Sequence, residues 1–270
     1  MKNDSLGDRM KLYEGAEANR SMMPLLPIMA RLDGRAFHTF TKGLERPYSE
    51  KFTNCMIETT GALVEKYHAD LAYTQSDEIS LFWLNDDPFT EMPFSGRFHK
   101  WTSLLASTAS VAFNRACATH LKEKADLAPE FDCRVWQVPN LIEAYNAFVW
   151  REDDATRNSL QMAAQAHYSH KQLHKAGAPQ LHDLLHAKGI NWNDFPAFFK
   201  RGTYVARRRY EKVLSKQQLD MIPEDKRPDG PVLRSGVFTL DAQPIRQYSS
   251  LLPFTSGAVK GVKMIYGDYS

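Results

Sequence analysis

Residues 71–84 read Leu-Ala-Tyr-Thr-Gln-Ser-Asp-Glu-Ile-Ser-Leu-Phe-Trp-Leu. Two β-prone runs flank a tight polar centre, Gln75 to Glu78, so the stretch is two strands joined by a short turn. Upstream, Pro-Ile-Met-Ala-Arg-Leu-Asp-Gly (27–34) is a strand running into a turn at Asp33-Gly34. Between them Ser49 opens a helical stretch in which Phe52, Met56, Leu63 and Tyr67 recur at helical spacing. Downstream, Trp101, Leu105, Ala109, Ala112 and Ala116 mark a helix from Phe98 to about His120. Asp132–Val138 is a strand closed by Pro139, and two helical runs follow, 140–151 and roughly 154–174. Residues 1–22 read as a leading amphipathic helix.

The order β-α-β-β-α-β implies an α+β fold, a ferredoxin-like split βαβ arrangement of four antiparallel strands with two helices on one face. Extra helices and a loop-rich C-terminal tail complete it. The expected division is a catalytic unit over 1–215, ending in a basic segment, and a loop-rich extension over 216–270, where proline and glycine are frequent.

Composition narrows the class. Of 270 residues, 43% are hydrophobic and 24% charged, values of an ordinary globular protein. The apolar stretch from Met22 to Ala30 is short and broken by Pro24 and Pro27, so no membrane span is expected. The polar N-terminus has no signal-peptide pattern, so a cytoplasmic location is expected. Cys55, Cys117 and Cys133 are scattered, odd in number and without a Cys-x-x-Cys pair, which fits small buried hydrophobes of a reduced compartment. The formal net charge is only +2, but in 200–216 Lys200, Arg201, Arg207, Arg208, Arg209, Lys212 and Lys216 face the single acid Glu211. With Tyr204 and Tyr210 interleaved, that run reads as an RNA-backbone contact ahead of a solvated helix face.

In a split βαβ sheet the end of the first strand lies beside the turn joining the second and third. Asp33 is on one and Asp77-Glu78 on the other. Such carboxylates suit a pair of Mg²⁺ ions, which take few protein ligands and complete their shells with phosphate and water. Gly34, lacking a Cβ, would let its carbonyl approach a metal. Taken singly, Asp33-Gly34 is equally a plain turn and Ser76-Asp77-Glu78 a plain hairpin tip. Their joint placement is harder to dismiss, because Gln-Ser-Asp-Glu is not a favoured two-residue hairpin sequence. His182 and His186, one helical turn apart, lack the glutamate and third ligand of a zinc protease. His167, His170 and His174 read as a solvated or RNA-facing stripe.

Arg-Leu-Asp-Gly-Arg-Ala-Phe-His-Thr-Phe (31–40) with Arg46-Pro47, and Ala-Tyr-Thr-Gln-Ser-Asp-Glu-Ile-Ser (72–80), resemble the signature blocks of the tRNA-His guanylyltransferase family. Lys100 and Phe-Asp-Cys-Arg-Val (131–135) also resemble family positions, and the likeness spans about residues 8–205. The resemblance implies a polymerase-like palm that adds nucleotides to tRNA 5′ ends in the 3′-to-5′ direction, using ATP and then GTP or another NTP, and a homotetramer. It implies that Asp33, the Gly34 carbonyl and Asp77 bind two Mg²⁺ ions, with Glu78 in support. Residues Asp33, Gly34, Arg35, Ala36, Phe37 and His38 would cradle the triphosphate beside Ser76, and Arg46, Lys100, Arg134 and Asn158 would complete the nucleotide contacts.

One block departs from the pattern. Dedicated tRNA-His enzymes carry His-Ile-Asn-Asn-Leu-Tyr-Asn, whereas residues 156–162 here read Thr-Arg-Asn-Ser-Leu-Gln-Met, keeping only Asn158 and Leu160. The resemblance therefore leans to the bacterial-type branch, a templated 5′-end repair polymerase, with Arg157 adding a cation for RNA phosphate. Two rival functions share these residues: a signalling nucleotide cyclase on the same palm, and a non-catalytic RNA-binding module.

Overall fold

In the computed structural model, which describes residues 5–267, the chain runs α1 (Ser5–Ala18), β1 (Ile28–Gly34), α2 (Phe37–Phe40), α3 (Glu50–Tyr67), β2 (Leu71–Gln75), β3 (Glu78–Trp83), α4 (Phe98–His120) and β4 (Phe131–Gln137). It continues through α5 (Leu141–Gln165), α6 (Ala178–His186), α7 (Ala197–Arg201), β5 (Thr203–Lys212), α8 (Lys216–Asp220), β6 (Val232–Leu240), α9 (Leu252–Thr255) and β7 (Gly261–Tyr266). Among the described residues the strands form one antiparallel sheet in the order β4-β1-β3-β2-β5-β6-β7. No helix of the described residues is long and apolar enough to cross a membrane.

Alternation along the strands divides the core between two faces. Ile28, Ala30, Leu32, Ile79, Leu81 and Trp83 pack with Phe52, Cys55 and Met56 of α3 and Trp101, Leu105 and Phe113 of α4. Met29, Leu71, Tyr73 and Phe82 point the other way, onto Ala144, Phe148 and Val149 of α5 and onto Ile245, Leu251 and Phe254 of the C-terminal segment. A third cluster joins the last turns of α5 to α6 and α7 through Leu160, Ala163, Leu181, Leu185 and Phe199. The Ser49 hydroxyl accepts the Phe52 N–H and caps α3, as its place ahead of the apolar periodicity suggests. All three cysteines are free and buried.

Four expectations are corrected. The expected break between the helical runs 140–151 and 154–174 does not occur at the acidic triplet Glu152-Asp153-Asp154. The triplet lies within the single 25-residue α5, because buried Glu152 accepts the Tyr204 hydroxyl at 2.8 Å and the Ile245 N–H at 2.9 Å. That helix ends at Gln165, so His167, His170 and His174 lie in turns and form no helical stripe. The tail is not loop alone: Val232–Leu240 and Gly261–Tyr266 add two strands to the sheet. The leading helix spans Ser5–Ala18 with Leu6, Met10, Leu12 and Tyr13 all exposed, so no apolar side is buried, and residues 1–4 lie outside the described residues.

Candidate active site

Asp33, at the end of β1, lies in register between Glu78 of β3 and Asp132 of β4. Directly opposed residues project to one side of a sheet, so three carboxylates line up on the face that α5 covers. Like charges so placed repel, and the arrangement is stable only with cations nearby. Arg31, two residues before Asp33, is opposite Arg134 and supplies the adjoining basic row.

The β2–β3 connection is a two-residue loop, Ser76-Asp77, since Gln75 pairs with Glu78. Ser76 holds φ 53°, a left-handed value that costs a non-glycine residue about 1 kcal/mol. The Gly34 N–H donates to the Asp77 carbonyl at 3.0 Å, so the strand end and the loop are fastened together. Burial, followed by its own backbone hydrogen bond, the Asp33 charge, the Ser76 hydroxyl and His38, acts on the Asp77 carboxyl; burial and Asp33 prevail and push it up.

Glu78 is held differently. Arg151 Nε of α5 donates to it at 2.5 Å and Arg31 Nε stands 3.7 Å away. Burial still raises the Glu78 carboxyl, with the two arginines opposing. Arg151 also reaches Asp154 at 3.2 Å, and both guanidinium groups lie over the Trp150 ring, at 5.4 Å for Arg31 and 4.7 Å for Arg151.

Asp33, Ser76, Asp77, Glu78, Arg151 and Asn158 line a cavity of about 340 Å³. Gln75, Ser76, Met162 and Gln165 also bound an adjoining cleft of about 460 Å³, whose far wall includes His38, Arg46 and Tyr48. Tyr48 anchors that wall to α7 through ring contacts at 5.2 Å to Phe198 and 4.9 Å to Phe199.

The fold thus brings Asp33, Gly34, Ser76, Asp77, Glu78 and Asn158 together and sets His38 and Arg46 beside them. Others fall elsewhere. Phe37 is a core residue, ringed by Phe40, Phe52, Phe113 and Phe131 at 5.1–6.0 Å, so its side chain holds no nucleotide. Gly34 has a packing reason to be glycine: a Cβ there would fall 2.3 Å from the Phe37 ring. Ala36 is left-handed at φ 58°, and Arg35 turns to Glu130 at 2.8 Å. Lys100 lies at the opposite end of the sheet, where neighbouring Trp101 meets Trp83 and Trp83 pairs with Ile28. Five strand residues separate Ile28 from Asp33, roughly 17 Å. Arg134 is exposed on β4, 3.8 Å from Asp132. Asn158 donates to Asp154 at 3.3 Å.

The residues expected to meet RNA also scatter. Arg157 is tied to Asp154 at 3.0 Å with its side chain mostly exposed. Lys200 donates to the Asn193 carbonyl over the Trp192 ring, and the Arg201 carbonyl accepts the Tyr73 hydroxyl at 2.8 Å. Segment 203–212 is a strand, so Arg207, Arg208 and Arg209 cannot share a face. Two residues of the site were not legible beforehand, Arg151 and Trp150. Their signal was present in the spacing: Arg151, Asp154 and Asn158 recur at i, i+3 and i+7, one face of a helix.

Asp33 and Asp77 are hard oxygen donors crowded by their own charge, and the Gly34 carbonyl adds a third oxygen of the same character. That set fits Mg²⁺. Glu78 does not fit as a ligand, because Arg151 and Arg31 already occupy it. Among the described residues no group of three or more His, Cys, Asp or Glu side chains could hold a metal ion, which leaves His182 and His186 without a zinc role. His182 packs edge-on against Trp192 at 5.8 Å.

A crowded carboxylate pair opening onto a polar cleft is compatible with enzymes that transfer phosphate-bearing groups. The comparisons give the family. Residues 7–139 match the profile of Thg1, tRNAHis guanylyltransferase. A bacterial tRNA(His) guanylyltransferase (Thg1)-like protein solved in complex with ATP is 37% identical, with TM-score 0.71, over 74% of this chain and 88% of that one. Such a protein solved in complex with GTP is 32% identical, with TM-score 0.73, over 93% and 99%. The tRNA(His) guanylyltransferase of Saccharomyces cerevisiae is 28% identical over 210 residues, 71% of this chain and 87% of that protein. The chain belongs to the tRNAHis guanylyltransferase family, whose members are nucleotidyltransferases.

Proposed function

We propose that this protein is a Mg²⁺-dependent nucleotidyltransferase that extends tRNA 5′ ends by templated repair. The observation that carries the reading is the fastening of Asp33 to Asp77 through the 3.0 Å Gly34–Asp77 hydrogen bond, with the Asp77 carboxyl raised by burial and by Asp33. The strand order β4-β1-β3-β2, with α3 and α4 on one face, supports a ferredoxin-like, polymerase-type palm. Asp33, Asp77 and the Gly34 carbonyl would hold Mg²⁺, which lowers the pKa of an attacking hydroxyl and offsets charge on displaced phosphates.

The chemistry would proceed in two displacements. A 5′-monophosphate oxygen attacks the α-phosphorus of ATP and pyrophosphate leaves, giving an adenylylated 5′ end. The 3′-hydroxyl of an incoming NTP then attacks that 5′-phosphorus and AMP leaves. The neighbouring complexes with ATP and GTP are consistent with both substrates. In this chain Arg46 and His38 border the cleft next to the carboxylates, where a triphosphate would lie.

Repair is favoured over dedicated guanylylation because of the replaced block. Ser159 is buried, its hydroxyl within donating reach of the Thr156 carbonyl at 2.9 Å and the Lys200 carbonyl at 3.2 Å and accepting the Trp192 indole N–H at 3.2 Å, so it packs α5 against the 192–201 segment. The deciding measurement compares kcat/KM on one preparation for 5′-truncated tRNAs of several identities and for full-length tRNA-His. Refilling by Watson–Crick pairing at equal or higher efficiency is expected. A preference of about a hundredfold for full-length tRNA-His, about 2.7 kcal/mol in transition-state stabilisation, establishes dedicated guanylylation instead. Labelled GTP without tRNA checks the cyclase alternative.

A further inference from the structure

Trp150 stands at the edge of the site with 52% of its surface exposed, unusual for so large an apolar side chain beside a reaction centre. Its setting is specific. Arg31 lies over the ring and precedes Asp33 on the same strand face by two residues, roughly 7 Å. Arg134 pairs with Arg31 across β1 and β4 and faces solvent.

The three arginines differ in how their donors are used. Arg151 is committed, with Glu78 at 2.5 Å and Asp154 at 3.2 Å. Arg31 and Arg134 make no side-chain hydrogen bond among the described residues, and their nearest carboxylates are 3.7 Å and 3.8 Å away. Each guanidinium carries five N–H donors in a fork that matches phosphate. An exposed aromatic ring beside two guanidinium forks that make ion pairs but no hydrogen bond, Arg31 with 18% and Arg134 with 58% of its side chain exposed, has the composition of a single-strand nucleic acid platform, stacking for a base and charge for its backbone. A protein ligand would need an apolar pocket around the tryptophan, whereas the side chains against the Trp150 ring are Arg31 and Arg151.

We infer that Trp150, Arg31 and Arg134 form a docking site for the unpaired 3′ tail of the RNA, a base stacking on Trp150 while its phosphates meet the two arginines. This rests on the RNA-end reading above and adds to it the element that seats the strand opposite the reacting 5′ end. Arg151 acts there as a positioning residue: its bonds to Glu78 and Asp154 fix the helix turn from which Trp150 projects.

The test uses the full chain and two RNA hairpins with the same acceptor-type stem, one ending in an unpaired 3′ tail and one blunt. Dissociation constants are measured for wild type, Trp150→Ala, Trp150→Phe and Arg31→Ala. Wild type should prefer the tailed hairpin. Trp150→Ala should weaken tailed binding about tenfold, the effect of one lost base–aromatic stack, and leave the blunt hairpin within about twofold. Trp150→Phe should recover most of the loss, and Arg31→Ala should lower the salt dependence of tailed binding. Unchanged tailed binding by Trp150→Ala overturns the inference, as does an equal loss on both hairpins. Nucleotide addition by wild type on the same hairpins is scored separately. Failure of addition with tail-dependent binding intact refutes the enzymatic reading and leaves the platform standing.

Discussion

The carboxylate end of the sheet and the basic strand β5 are both dense runs of one charge, and the fold treats them in opposite ways. At the end of β1 and in the β2–β3 loop, residues far apart in sequence converge: Asp33 faces Glu78 across the ladder and Gly34 donates to Asp77. In β5, three consecutive arginines diverge. Arg207 turns to α3, meeting the Glu65 carboxylate at 2.9 Å and the Glu65 carbonyl at 3.1 Å. Arg208 turns to the opposite face, donating to the Val259 carbonyl at 2.9 Å and the Phe254 carbonyl at 2.6 Å. Arg209 is left exposed. A period of two scatters a charge run that lies along a strand, whereas a hairpin tip gathers one.

Removing a gathered charge should have the largest effect. Asp77→Asn is expected to reduce kcat/KM for nucleotide addition at least a thousandfold, about 4 kcal/mol, because the proposed Mg²⁺ site would lose one of its two charged oxygen ligands. The same change should stabilise the fold. A carboxyl whose folded pKa is raised contributes stability below its unfolded pKa and loses it as pH rises through the folded value. Near pH 7 the ionised Asp77 is therefore a cost that asparagine removes. In a chelator the variant should melt about 2–4 °C higher, the shift that about 1 kcal/mol gives in a chain of this size. A lower melting temperature contradicts the crowded-pair account.

Glu78, one residue on, is balanced differently, because burial raises its carboxyl while Arg151 and Arg31 oppose the rise. Glu78→Gln leaves Arg151, with its side chain 15% exposed, without its closest anion. The lost ion pair and the relieved burial of charge then offset each other, so stability should change by less than for Asp77→Asn. Activity should fall less than for Asp77→Asn, since in the proposed site Glu78 holds the two arginines in place of Mg²⁺. Equal kinetic damage from both substitutions would erase the distinction between them.

Arg208 belongs to packing despite its charge. Arg208→Ala strands the Val259 and Phe254 carbonyls and should lower unfolding free energy by about 2 kcal/mol, measured by urea titration. Its tRNA affinity, measured on folded protein, should match wild type.

The contrast explains what could be read beforehand. The elements β1 to β4, with α3 and α4, were legible because period, turn residues and the Ser49 cap all agree. The convergence of Asp33 with Asp77 followed from strand order. Arg151 was not legible, since its role depends on which face of α5 meets the sheet. The continuity of α5 was hidden by Glu152, whose charge suggests solvent although Tyr204 and the Ile245 N–H receive it in the core. Strands β6 and β7 were hidden because proline and glycine are frequent around them and Val232–Leu240 does not alternate apolar with polar residues. Gly34 was read for a metal, but a contact from Phe37, three residues away, already forbids a Cβ there.

The smallest expected effect tests how much of the basic strand meets RNA. Of the three arginines only Arg209 presents an exposed side chain, on the same face as Arg207 and well along the β5–β6 ladder opposite Ser235. If it contacts one phosphate, Arg209→Ala should reduce the slope of log K against log salt by about one unit and weaken tRNA binding only a few-fold at physiological salt. Stability should stay within about 0.5 kcal/mol, as for a surface change away from packing. Arg207→Ala provides the internal contrast, since it breaks a pair with Glu65 whose partners are 30% and 45% exposed, and should cost about 0.5 kcal/mol with no change in slope. The measurement is tRNA binding at four or five salt concentrations for both single variants. Should Arg207→Ala alter the slope as much as Arg209→Ala, the strand's two outer arginines act together on RNA, and the division of charge by strand face fails as an account of this segment. An unchanged slope for both would remove these two arginines from the RNA contact.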